Sequence, residues 1–321
     1  MPGDDRAPLA SGESILIVHP DRKTQRTVHR ILGITGYRID IADDLEQALR
    51  LLAHAQPVLI VVDGAAVLGD HAAAFFAAAK ARSVDACMTL LGGPVVEHVP
   101  KLLGLGAVTN LLVHPMPVLA EALTITAHKL IRRDLFGVEK YLLWGTELHA
   151  MTLTRASQRA DHVARVGEHV RLLGQSARVA SMAMLVSDEL LSNAVHNAPV
   201  DAAGGAYRRD TARDAEIELD AQHQVHMRWG CDARYLAIEV TDTWGTLDRD
   251  TILDALARTD VRESGGGAGM GVALAYRSCD HLVFNLAPGV RTQVIAMIDV
   301  RYPASERVPA SSYNIFVERA P

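Results

Sequence analysis

The sequence predicts an α/β protein in two parts. Strand-like and helix-like patterns alternate through residues 14–134, whereas residues 135–306 carry helical runs, then a strand pattern, a further helical run and two more strand patterns. Strands separated by helices argue for a parallel sheet wound on both faces. A chain of 321 residues is long enough for two domains with separate cores.

Residues 1–13 are expected to be a disordered lead-in. Ser14–Val18 is a buried-strand pattern, followed by a polar, amphipathic run from Arg22 to Leu32. Tyr37–Ala42 is a second strand pattern and Leu45–His54 a helical one. Val58–Val62 is an apolar run ending at Asp63, and Met88–Leu91 and Asn110–Val113 supply two more, with Ala-rich or Leu-rich helical stretches such as His71–Ala81 between them. Five β/α units in this order resemble the receiver domain of response regulators, a flavodoxin-like (βα)5 fold. The resemblance implies a phosphoacceptor at Asp63. The rest of the family's chemistry is eroded: His19-Pro20 replaces the acidic pair that would hold Mg²⁺, Gly92 replaces the hydroxyl, and His114, before Pro115, replaces the lysine. Asp21 alone is a poor cation cage. Residues 14–134 therefore read as a pseudo-receiver in which Asp63 is vestigial, a strand-end carboxylate satisfied by loop amides.

Ala122–Arg133 reads as the last helix of this part, and Asp134–Trp144 leads on without a Gly-Ser linker. Met151–Leu173 has helical apolar spacing. His149, His162 and His169 lie in no Pro-containing hairpin and no acidic residue follows them closely as a phosphorylated histidine would require, so each reads as a core or surface histidine.

In Val186–Asn197, Glu189 and Asn193 sit four apart in a helical run, which puts them on one face. A carboxylate and a carboxamide so placed can orient a water or hydroxyl and offer an oxygen to Mg²⁺. Downstream, the strand pattern Tyr235–Thr241 ends at Asp242, followed by Thr243-Trp244-Gly245. Ser264–Gly271 is glycine-rich and opens the helical run Val272–Cys279; strand patterns at Leu282–Leu286 and Gln293–Ile298 flank Thr292. These motifs, in this order, resemble the GHKL (Bergerat-fold) ATPases, the superfamily of gyrase, histidine kinases and anti-sigma-factor kinases.

The resemblance implies an α+β ATP-binding sandwich over 135–306, with 307–321 as a C-terminal tail. It assigns Glu189 as catalytic base and Asn193 to ATP and Mg²⁺. Asp242, Gly245, Gly265, Gly266, Gly267, Gly269, Met270, Gly271 and Thr292 complete the nucleotide set. The chemistry agrees. A buried carboxylate accepts a hydrogen bond from the adenine amine, glycines let backbone N–H groups approach phosphate, and a helix N-terminus adds positive potential. Trp244 and Thr246 stand where the family's adenine box has glycines, so Trp244 either stacks on the base or narrows its pocket. The interval from Gly245 to Gly265 is short, as in the anti-sigma type, and Pro199–Asp214 reads as a surface insertion.

The expected function is Mg·ATP-dependent signalling: phosphorylation of a serine on a partner, an anti-anti-sigma-like or other signalling protein, or switching of that partner's binding. The alternative is a non-catalytic scaffold, and a homodimer is compatible with either. The net charge of −6 gives no footprint for nucleic acid. No apolar run is long enough for a membrane span, no signal-peptide pattern opens the chain, and three scattered cysteines suit a reducing cytoplasm.

Overall fold

A computed structural model describes residues 13–82, 86–92, 99–114, 120–201, 203, 205–208, 211–212, 215–257, 270–301 and 311–318. The chain divides between Asp134 and Leu135 into two compact units.

The first unit alternates β1 (Ser14–Val18), α1 (Arg22–Leu32), β2 (Arg38–Ala42), α2 (Leu45–Leu52), β3 (Pro57–Asp63), α3 (Ala72–Ala81), β4 (Cys87–Gly92), α4 (Val99–Gly104), β5 (Asn110–His114) and α5 (Ala120–Arg132). All neighbouring strands are parallel in the order β2-β1-β3-β4-β5, the flavodoxin-like order. β1 is buried along its whole length, as its unbroken apolar run requires of a strand covered on both faces. Asp21 caps α1, its Oδ2 accepting from the Thr24 amide at 2.7 Å, and Asp44 caps α2 through the Gln47 amide at 2.7 Å.

The second unit contains β6 (His149–Leu153), α6 (Arg159–Leu172), α7 (Ala177–Ser192), β7 (Val225–Cys231), β8 (Tyr235–Asp242), α8 (Arg249–Ala257), α9 (Met270–Ser278), β9 (His281–Ala287), β10 (Arg291–Asp299) and β11 (Ser312–Val317). Its strand order is β11-β9-β10-β8-β7-β6, antiparallel from β9 to β6, with β11 parallel to β9. α7 packs on α6, α9, β8 and β10, which makes a two-layer helix-on-sheet unit.

The sheet also carries polar residues that the connector Leu135–Tyr141 satisfies. Gly137 N–H donates to Gln293 Oε1 at 2.9 Å, and Val138 N–H donates to Glu239 Oε2 at 2.8 Å. Arg228 grips the same buried Glu239 carboxylate through Nε and Nη2, at 2.7 and 2.8 Å.

Two boundaries differ from those read in the sequence. Met151–Leu173 is not one helix. Residues 149–153 pair with β7, and Gln158 Oε1 captures the Thr154 and Arg155 amides at 2.8 and 3.1 Å, which closes a turn before α6. Nor is 307–321 wholly a tail: Ser312–Val317 forms β11, with Tyr313, Asn314, Ile315 and Phe316 buried. Its Tyr-Asn-Ile-Phe core suits a pleated surface, and β9 offers a free edge for it. Among the described residues no helix is long and apolar enough to cross a membrane.

Candidate functional site

α7 starts at Ser176, whose Oγ accepts from the Val179 amide at 3.2 Å, and runs to Ser192. It then widens into a π-helical turn, Asn193–Asn197, closed by the Ala198 amide on the Asn193 carbonyl at 3.0 Å. Such turns are rare and concentrate at functional sites. Glu189 and Asn193 are half-buried on the face turned to α9.

A Cβ added to Gly271 would fall 2.5 Å from Glu189 Oε2 and 3.2 and 3.3 Å from Asn193 Nδ2 and Oδ1. A side chain at 271 would push these two side chains aside, and the close approach of α9 to α7 brings a carboxylate, a carboxamide and a helix start together. Asn193 Nδ2 is buried without a hydrogen-bond partner. Its Oδ1 accepts from Asn197 Nδ2 at 2.8 Å. Asn197 stands four residues after Asn193, outside the motif positions that the sequence marks.

Asp242 ends β8, and Thr292 stands opposite it in the β8–β10 ladder. Both are buried. Asp242 Oδ1 accepts from the Trp244 amide at 2.9 Å and from the Gly245 amide at 3.2 Å. Burial pushes the carboxyl up to about 6; those amides and Thr292 temper the rise, although Thr292 Oγ1 makes no hydrogen bond of good geometry.

The sign of the resulting pH dependence follows. The carboxyl titrates near 3.8 when unperturbed and near 6 when folded, so the native state holds the proton more tightly. Below about pH 4 both states are protonated and burial of the ion carries no penalty. Stability is expected to fall by on the order of 2–3 kcal/mol as pH rises from about 4 to about 6. Denaturant titrations across that window should show the fall in the wild type and its loss in Asp242→Asn. An identical fall in the variant would remove Asp242 from this account.

Gly245 has φ +62° and packs on the β9–β10 hairpin, where Ala287, Val290 and Arg291 leave no room for a side chain. That packing and the positive φ require a glycine at 245. Trp244 stacks on His223 with centroids 3.8 Å apart and planes 14° apart, and Tyr207 meets it edge-on at 6.4 Å. His223 is fixed by Asp220, whose Oδ2 lies 2.8 Å from Nδ1. Thr246 Oγ1 donates to the Ala198 carbonyl at 2.7 Å and ties this loop to the end of the π turn. Gly265, Gly266, Gly267 and Gly269 lie outside the described residues, as do the Met270 side chain and several positions of 199–214.

In the first unit Asp63 ends β3. Its Oδ2 accepts from the Ala66 amide at 3.0 Å, and its Oδ1 lies 3.6 Å from His19 Nε2. His19 Nδ1 accepts from the Asp21 amide at 3.0 Å, which leaves the ring proton on Nε2, facing Asp63. The imidazole thus occupies one approach to the carboxylate that a cation would use. Asp21 is committed to capping, and its hydrogen bonds to the Thr24 side chain and amide hold its carboxyl below the usual value. Gly92 ends β4, and the His114 side chain is outside the description.

Of the three histidines weighed as phosphoacceptors, His162 is buried in α6, while His149 and His169 lie against Trp229. Trp229 Nε1 donates to His169 Nδ1 at 3.0 Å. No group of three or more His, Cys, Asp or Glu among the described residues could hold a metal ion.

No protein-family model matches the chain, and no curated protein does. Solved structures similar to its N-terminal part include receiver domains. One is the signal receiver domain of an HD domain-containing protein from Pseudomonas fluorescens Pf-5, at 19% identity and TM-score 0.32, covering 38% of this chain and 95% of that one. Another is a CheY-like response regulator receiver domain protein from Methanospirillum hungatei JF-1, with 19% identity, TM-score 0.32, and 38% and 95% coverage. A third is the receiver domain of the Francisella response regulator 1452, with 18% identity, TM-score 0.31, and 38% and 98% coverage.

Proposed function

We propose that this chain is a signalling protein whose second unit binds Mg·ATP in the manner of the GHKL ATPases, and whose receiver-like unit serves as a protein-interaction module. One observation carries the reading. Glu189 on α7 and Asn193 in the π turn that continues it close on Gly271, some eighty positions further along the sequence, while Asp242 stands opposite Thr292 at the end of the ladder on which α7 packs. Five residues from four motifs, chosen for their chemistry, thus belong to one helix-on-sheet assembly.

Asp242 would accept from the adenine amine, a donor that hypoxanthine lacks. Asn193 Oδ1 would serve as the single protein ligand of Mg²⁺, which usually completes its shell with waters and phosphate oxygens, so the lack of an acidic cage is no obstacle. The glycine run before α9 would receive the phosphates. Glu189 would take the proton from an attacking water or from a partner's serine hydroxyl. ATP itself supplies the transferable phosphoryl group. The acceptor is a serine of a partner protein, or, if nothing is transferred, nucleotide binding switches the affinity for that partner or for a second copy of the chain. A specific observation supports a scaffold as the second reading: Trp244 is already stacked on His223 beside the adenine-box carboxylate.

Calorimetric titration with Mg·ATP decides. The wild type should bind, and Asp242→Asn should lose about 1–3 kcal/mol of binding free energy, because the amide nitrogen turned to the base would face a donor. No binding at millimolar Mg·ATP would defeat the ATP reading and leave the scaffold.

A further inference from the structure

Helix α1 carries four permanent cations, Arg22, Lys23, Arg26 and Arg30, and no acidic residue, in a chain whose net charge is −6. Arg22, Arg26 and Arg30 recur every fourth residue, so they form one row about 12 Å long. With Asp21, Lys23 and Thr27 they line an open groove of about 510 Å³. Arg22 reaches Asp43 at 2.9 Å, whereas Lys23, Arg26 and Arg30 are exposed and make no ion pair among the described residues. Asp21 is turned to the helix end, where its Oδ2 accepts from the Thr24 amide and hydroxyl, both at 2.7 Å.

This pattern costs the helix stability. Like charges four residues apart repel, and cations in the first turn oppose the positive end of the helix. An anionic partner offsets both. Ile34, 76% exposed, stands four residues after Arg30 in the 3₁₀ turn that follows α1, so the basic row ends on an apolar side chain.

We propose that this face of α1 docks an acidic helix of a partner protein, with carboxylates one turn apart set against the arginine row and an apolar residue set against Ile34. Guanidinium forks match carboxylates with paired hydrogen bonds. A second copy of the chain is not the occupant, because none of its described helices contains three acidic residues. Nucleic acid is disfavoured by the chain's negative charge and gains nothing from Ile34. The proposal rests on the interaction role given above to the receiver-like unit and is independent of ATP.

The test is fluorescence anisotropy of a labelled synthetic helical peptide titrated with the full chain, without nucleotide. One face of the peptide reads Leu-Glu-Glu-Glu-Leu at four-residue spacing; a comparator has the same composition with its glutamates spread around the helix. The first should bind at least about threefold more tightly than the comparator, and Arg26→Glu/Arg30→Glu should weaken it at least about tenfold. Arg26→Gln/Arg30→Gln, which removes charge without adding repulsion, should weaken it about threefold, and Arg50→Glu on α2 should leave it within about twofold. Absence of saturable binding at about 1 mM peptide, equal binding of the two peptides, or undiminished affinity in the charge reversal overturns the proposal. So does a DNA duplex that binds more tightly than the peptide and is lost in the same variant, which would make the face a nucleic-acid surface. The underlying reading is tested apart, by intact mass after acetyl phosphate and Mg²⁺: one added phosphoryl group that disappears in Asp63→Asn would make the unit a phosphorylation switch.

Discussion

Glu189→Gln is expected to lower ATP turnover about 10²–10⁴-fold while leaving ATP affinity close to wild type. Glutamine keeps the shape and one carbonyl oxygen of the side chain but cannot take a proton. The geometry makes the test sharp, because Glu189 Oε2 lies against the α9 start where Gly271 leaves room for it. Phosphate release and labelled transfer to an added protein serine would be followed beside calorimetry on the same samples. Equal, measurable turnover in both proteins would exclude Glu189 as the base. A wild type that binds ATP without turning it over would favour the scaffold.

The largest expected effect on stability is at Gly245. With φ +62°, an alanine Cβ would lie 2.5 Å from Val290 N, 2.6 Å from Ala287 O and 2.7 Å from Arg291 N. All three are backbone atoms, so no rotamer change relieves the clash. Left-handed strain and overpacking together should destabilise the unit by about 3 kcal/mol. For a unit of this size that is a drop in Tm of about 6–12 °C. Because the Gly245 amide also donates to Asp242, ATP affinity should weaken in the folded variant. A drop of less than about 2 °C would mean that the β9–β10 hairpin yields.

The first unit was legible because its inner strands β1 and β3 are mostly apolar runs, and two-sided burial leaves that pattern little freedom, while the edge strand β2 shows the alternation Arg-Ile-Asp-Ile-Ala. Strand β6, with its His-Ala-Met-Thr-Leu alternation, merged with the helical spacing that follows, since the turn between them is made by the Gln158 side chain rather than by Gly or Pro. β11 is short and distant from its partner, and only the exposed edge of β9 gives it a role. Within the site, Glu189 and Asn193 could be placed on one face from spacing alone. The π turn could not, because an i→i+5 closure has no side-chain signature. Nor could the Trp244–His223 stack, which joins residues 21 positions apart through a loop. The eroded receiver chemistry was visible as missing residue types, but the use of His19 to face Asp63 needed the hydrogen bond that fixes its tautomer.

The connector's grip on the sheet has an evolutionary consequence. Two consecutive peptide groups, at Gly137 and Val138, address acceptors on two neighbouring strands, Gln293 on β10 and Glu239 on β8. A backbone donor survives almost any exchange of side chain but not a change of spacing. One inserted or deleted residue would carry both amides past their acceptors and strand the buried Glu239 carboxylate with Arg228 alone on that side. Drift in this stretch is therefore confined to substitutions, with proline barred at Val138 and glycine held at 137 by its φ of +112°.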